Sequence, residues 1–170
     1  MRSALSSTTR EGAVWGVLAG AVFGLAEVVG AAAMGQSPLL PPRMAASLVL
    51  GGIALFSTPP ATAVALGLFV HLLLSALFGI IFSARNAPMP PEMRASWGSQ
   101  AAFGLFYGLI VWLFDFQLVG RLLYPWFLTS AQIPQAIAHI VFFGLPLGLG
   151  FAATERRGLA VGGGPVPRPT

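Results

Sequence analysis

Apolar residues run through this chain in four long blocks, at roughly 12–34, 60–83, 99–119 and 132–154. Short stretches rich in proline, arginine and polar residues separate them. A helix rises about 1.5 Å per residue, so crossing a hydrocarbon layer takes about 20 residues. Each block is long enough. The pattern predicts an all-α, polytopic membrane protein with four transmembrane helices in an antiparallel bundle. A further apolar stretch, 44–56, is too short to cross and reads as a re-entrant or interfacial helix. It follows GQSPLLPPR, whose prolines forbid continuation of the first helix. The loop SARNAPMPPEMRAS is polar and proline-rich, and GRLLYPWFLTSAQ carries Tyr124 and Trp126, which suit headgroup level. Residues 1–11 read as a cytoplasmic segment, 12–154 as one transmembrane domain, and the glycine- and proline-rich 155–170 as a disordered cytoplasmic tail. The first block is longer than a signal-peptide core and lacks a convincing cleavage site, so it reads as a retained helix.

Small residues recur at helical spacing inside the blocks. Gly12, Gly16, Gly20 and Gly24 fall every fourth position, on one helical face. Ser75 with Gly79, Gly104 with Gly108, and Gly144 with Gly148 repeat that spacing. In lipid, such faces let helix backbones approach closely. The first glycine groove is longer than one partner helix needs, which points to a homo-oligomer or to a subunit of a larger membrane complex. There is also a trace of duplication. Gly16, Gly20 and Glu27 match Gly104, Gly108 and Asp115 in spacing. The second and fourth blocks each carry one histidine, His71 and His139, followed by glycines at a spacing one residue adrift.

Composition supports the membrane reading. Of 170 residues, 56% are hydrophobic and only 8% charged, against about a quarter charged in soluble domains. With no cysteine, thiolate metal sites and cysteine nucleophiles are excluded. The pI near 11.2 comes from nine arginines scattered at segment ends, so nucleic acid is not an expected partner. Arg2, Arg10, Arg85, Arg94, Arg156, Arg157 and Arg168 fall on one side, Arg43 and Arg121 on the other. The positive-inside rule then puts both termini in the cytoplasm. Trp15, Trp97, Trp112 and Trp126 sit where interfacial belts occur.

Candidate chemistry lies in the polar residues within the blocks: Glu27, His71, Asp115 and His139, with Arg43 at the head of the short helix. Ionisable groups in a membrane need partners, and they mark structural pairs or ion paths. The residue types fit three readings. In the first, they pair structurally, with Arg43 carried to Glu27. In the second, they exchange protons, because histidine titrates near neutral pH. In the third, His71 and His139, with Glu27, bind a transition metal or a b-type haem. No two ligands share a helix at metal-binding spacing, so the first two readings are favoured and no cofactor is expected. No nucleophile elbow or phosphate loop is present. The chain therefore reads as a non-enzymatic structural, accessory or proton-conducting module of the lipid bilayer.

The runs SPLLPPRMAASLVLG, VHLLLSALFGII, GLFYGLIVWLFDF, YPWF and AHIVFFGLPLG resemble a family of small uncharacterised bacterial inner-membrane proteins, over about 13–151. Some members carry a sodium:proline symporter label, an architecture far longer than this chain. The resemblance implies four membrane helices, location in the bacterial inner membrane and a Pro-Arg-Met-Ala-Ala element at Pro42 to Ala46. It also singles out Glu27, Arg43, His71 and His139. At Asp115 the family pattern more often has a neutral polar residue.

Overall fold

The computed structural model describes residues 2–161, with side chains described for 8–160. Among these residues there are helices and no strands. The first long helix, α1, spans Arg2–Ala33. Two short helices follow, α2 (Leu40–Leu50) and α3 (Ile53–Phe56), then α4 (Pro60–Asn86) and the single turn α5 (Pro91–Arg94). The next long helix, α6, is α-helical over Trp97–Trp112, widens to a π-helix over Leu113–Gly120 and closes with Arg121–Leu123. The last, α7, begins as Gln132–Ile137, widens to a π-helix over Ala138–Gly144 and continues as Leu145–Val161. Four of these helices are long and apolar enough to cross a membrane: Thr8–Ala33, Pro60–Asn86, Trp97–Leu123 and Gln132–Ala160.

Several boundaries differ from those the pattern predicts. The helix is continuous from Arg2, so the polar start is an extension of α1. Residues up to Val161 belong to α7, which takes in the first part of the segment read as a tail. The remainder of that tail lies outside the described residues. The short apolar stretch is split, because Gly51 adopts φ 69° and turns the chain between α2 and α3. Only glycine takes that left-handed geometry without steric cost.

The helices pack as two pairs. In one, α1 lies on α4; in the other, α6 lies on α7. The first pair meets along its glycines. A Cβ added at Gly12 would strike Gly79, one at Gly16 would strike Ser75 and Gly79, and one at Gly20 would strike Ser75. The groove is thus filled by α4 of the same chain, which removes the ground for assigning it to a second molecule. The second pair repeats the contacts: Gly148 meets Gln100 and Gly104, Gly144 meets Gly104 and Gly108, and Gly108 meets His139. Gly79 and Ser75 correspond to Gly148 and Gly144. The two histidines are then one residue out of register. A π-helix holds one residue more than an α-helix of equal contact, and the π-helix Ala138–Gly144 spans the stretch from His139 to Gly144. It takes up the offset.

The pairs join through α1 and α7. Trp15 is central here: its ring fills the space over Gly150, and its Nε1 donates to Thr154 Oγ1 at 3.0 Å. The belt position expected for Trp15 is therefore wrong, and glycine explains why, since Gly150 leaves room for an indole inside. Beside it lies the core, with Ala19, Phe23, Phe82, Tyr107, Phe143, Leu147 and Phe151. α4 and α6 have no comparable backbone packing. Aromatic contacts span that side at one end, Phe82 to Phe103 at 4.8 Å and Phe82 to Tyr107 at 5.2 Å. The Tyr107 hydroxyl donates to the Phe78 carbonyl at 2.7 Å. Beyond these rings the helices diverge, and Phe78 meets Phe114 edge-on across the gap at 6.4 Å.

Leucine at Gly16 or Gly104 forces backbones apart and is expected to cost about 1–3 kcal/mol or more. Leucine at Gly30, where a Cβ meets nothing within 4 Å, is expected to be nearly neutral. Thermal unfolding in detergent compares the variants.

Candidate functional site

The gap between α4 and α6 opens into a cavity of about 720 Å³. This is within the range of about 300–1,000 Å³ for small-molecule sites. Its walls are largely apolar. Leu77 and Ile81 of α4 and Ile110 and Phe114 of α6 line it and are also exposed on the outer surface. The cavity therefore opens sideways through an apolar face. The Phe82–Tyr107 core closes one end. At the other end lies α2, which contributes Pro41, Met44, Ala45 and Leu48.

α2 is held there by three devices. Gly67 on α4 lets the Pro42 carbonyl approach closely. Tyr124 donates to the Leu48 carbonyl at 3.2 Å, and Trp126 Nε1 donates to Ser47 Oγ at 2.8 Å. Arg43 works within the same unit: its Nη1 donates to the Ala54 carbonyl at 2.8 Å and closes the α2–α3 turn. The expected approach of Arg43 to Glu27 does not occur. The physical reason is local, since the Ala54 carbonyl across the turn lies within reach and takes the guanidinium.

Glu27, His71, Asp115 and His139 all line this cavity, one from each long helix. His71 stands opposite Gly20 and Gly24, and its Nε2 lies 2.8 Å from the Gly20 carbonyl. A carbonyl only accepts, so Nε2 carries the proton and Nδ1 is the acceptor of the neutral ring. His139 Nδ1 lies 2.8 Å from the carbonyl of Gln135, one turn earlier. By the same argument its Nε2 is the open nitrogen. That nitrogen faces Asp115 Oδ2 at 3.8 Å. The separation is too long for a direct hydrogen bond, but close enough for an ion pair when the ring is protonated. His139 is buried, with its side chain 5% exposed, while Asp115 is 31% exposed towards the cavity. Both members of this pair sit in π-helices, a helix form that recurs at functional sites.

Glu27 crosses between the pairs. It is within electrostatic reach of His139, His71 and Asp115, with the Gln135 side chain beside it. Gln135 Oε1 is buried and has no partner. Sequence reasoning missed Gln135, although its position four residues before His139 puts it on the same helical face. It also missed Phe23, whose ring lies 5.3 Å from that of His71 and 4.5 Å from that of His139. One phenyl ring thus packs against both histidines. Among the described residues, no three histidine, cysteine, aspartate or glutamate side chains are grouped as a metal site.

Ser75 lies at the α1–α4 contact, and its hydroxyl donates to the His71 carbonyl at 2.7 Å, a packing position. A second buried polar pair, also not foreseen, ties α4 to α6: Gln100 Nε2 donates to Asn86 Oδ1 at 2.8 Å. Near it, Arg94 bonds Glu155 at 3.0 Å. Compared with family models, with curated proteins and with solved structures, the chain matches none. The likeness to small bacterial inner-membrane proteins has no counterpart there.

A double-mutant cycle of Asp115→Asn and His139→Gln measures the contact across the π-helices. Groups this close are expected to couple by about 0.5–3 kcal/mol in unfolding free energy. Strict additivity would show that the two side chains do not interact.

Proposed function

We propose that this chain is a non-enzymatic, multi-pass membrane module whose Glu27, His71, Asp115 and His139 hold and exchange protons. The observation that carries this reading is their convergence, from four separate helices, at one end of one cavity. Charge balance explains the grouping. In a low-dielectric interior a net charge is costly. Two carboxylates and two histidines reach zero net charge with the protons on the rings or with the protons on the acids. Protons can therefore redistribute within the group without charging the membrane interior.

The same reading includes the topology. The long helices form an antiparallel bundle in a bacterial inner membrane, and residues 44–56 fold back without crossing. The register of Gly12 against Gly79 and Gly24 against His71 supports the first point. The position of Pro41, Pro42 and Ala45 beside Glu27 and His71 supports the second. The arginine asymmetry puts both ends in the cytoplasm. The native chain has no cysteine, so single cysteines at Gln36 and Pro90 report cleanly. They are expected to label from opposite sides of the membrane. Labelling from one side overturns the topology.

Proton movement is tested in liposomes carrying a pH-sensitive dye and an imposed pH gradient. The protein is expected to speed dissipation, and Glu27→Gln to reduce the rate at least tenfold. Equal rates in protein-free, wild-type and Glu27→Gln liposomes would remove the proton-conducting reading.

A further inference from the structure

Much of the hydrogen-bonding capacity left over in the cavity is of one kind, acceptors. Each hydroxyl that lines it already donates to a backbone carbonyl: Ser75 to His71, Tyr107 to Phe78, Tyr124 to Leu48 and Ser130 to Phe127. Each histidine has given its ring proton to a carbonyl, of Gly20 or of Gln135, so His71 Nδ1 and His139 Nε2 are acceptors while the rings are neutral. Gln135 Oε1 is buried and unpartnered. Glu27 and Asp115 add carboxylate oxygens, and no arginine lines the cavity among the described residues. The amides of Gln36 and Gln135 also line the cavity, that of Gln135 beside Glu27, so apart from those amides and the protons the cluster shares, the deep end offers acceptors. The rest of the cavity is an apolar slot, open sideways between Leu77, Ile81, Ile110 and Phe114.

We propose that this cavity binds a membrane-soluble molecule with a primary ammonium head and an apolar tail. The head enters between α4 and α6, lies among Glu27, Asp115, His71 and His139, and donates its N–H groups to them. The tail remains between Leu77 and Ile110. A primary ammonium carries three donors and one positive charge, which suits a site that holds two carboxylates and the open ring nitrogens of two histidines. It replaces one histidine proton without changing the net charge. A carboxylate or phosphate head would instead add negative charge beside Glu27 and Asp115. The ligand is either a free alkylamine or the ammonium headgroup of a membrane lipid. The inference uses the same cluster as the proton-exchange reading but does not require protons to cross the membrane.

The test is photo-crosslinking in phosphatidylcholine nanodiscs with a diazirine-bearing alkylamine, the matching alcohol and the matching carboxylic acid. The amine is expected to label α4 and α6 peptides saturably, and unlabelled alkylamine to compete. Glu27→Gln and Asp115→Asn are expected to weaken capture at least tenfold. Ile110→Trp narrows the opening without touching the cluster, and is expected to reduce capture even if a carboxylate variant fails to fold. Competition when phosphatidylethanolamine is added to the nanodisc assigns the site to a lipid headgroup, and its absence to a free amine. Equal capture of amine and alcohol, or capture unchanged in Ile110→Trp and the carboxylate variants, overturns the proposal. Saturable amine capture in a protein that leaves the pH gradient intact removes proton conduction alone. Gradient dissipation without amine capture removes only the ligand.

Discussion

At Gly16 and at Gly104 two helices touch backbone to backbone, and the position of each histidine follows from that contact. In lipid there is no hydrophobic drive between apolar helices, so close packing and polar contacts must hold them. Glycine permits the approach. Once α4 lies against Gly12, Gly16 and Gly20, His71 arrives at Gly20 and Gly24. Once α7 lies against Gly104 and Gly108, His139 arrives at Gly108. The π-helix Ala138–Gly144 absorbs the single residue by which the second pair differs from the first. Residues with chemistry are thus placed by residues that have no side chain.

The way the pairs join determines the cavity. Trp15 occupies the space over Gly150 and fastens α1 to α7. That leaves α4 and α6 as the two ends of an arc, bridged at one end by the rings of Phe82, Phe103 and Tyr107 and by the Gln100–Asn86 hydrogen bond. A cavity therefore remains on the far side of those rings, and the titratable groups of both pairs turn towards it. Buried polar groups are costly when unpaired. Here the carboxylates and the imidazoles serve one another, while the cavity hydroxyls are satisfied by carbonyls. The short helix α2 covers the polar end, and Arg43 stiffens it through the Ala54 carbonyl.

Much of this was present in the linear pattern, because a membrane makes the pattern strict. A crossing helix must satisfy its own backbone and be apolar for about 20 residues. Four such blocks and one short stretch therefore announce themselves, as do the glycine spacing and the four ionisable residues inside the blocks. What the sequence alone did not determine is which faces meet. Periodicity reports neighbours on one helix and carries nothing about the partner helix. For that reason the Gly12–Gly24 groove read as a surface for another molecule, Trp15 read as a belt residue, and Arg43 read as the partner of Glu27. Only the tertiary structure decided that α4 fills the groove, that Gly150 receives Trp15, and that Ala54 takes the guanidinium. The physical reason is the same in each case. A side chain takes the nearest unmet need in space, and in this fold those needs lie on other helices or across a turn that glycine alone allows.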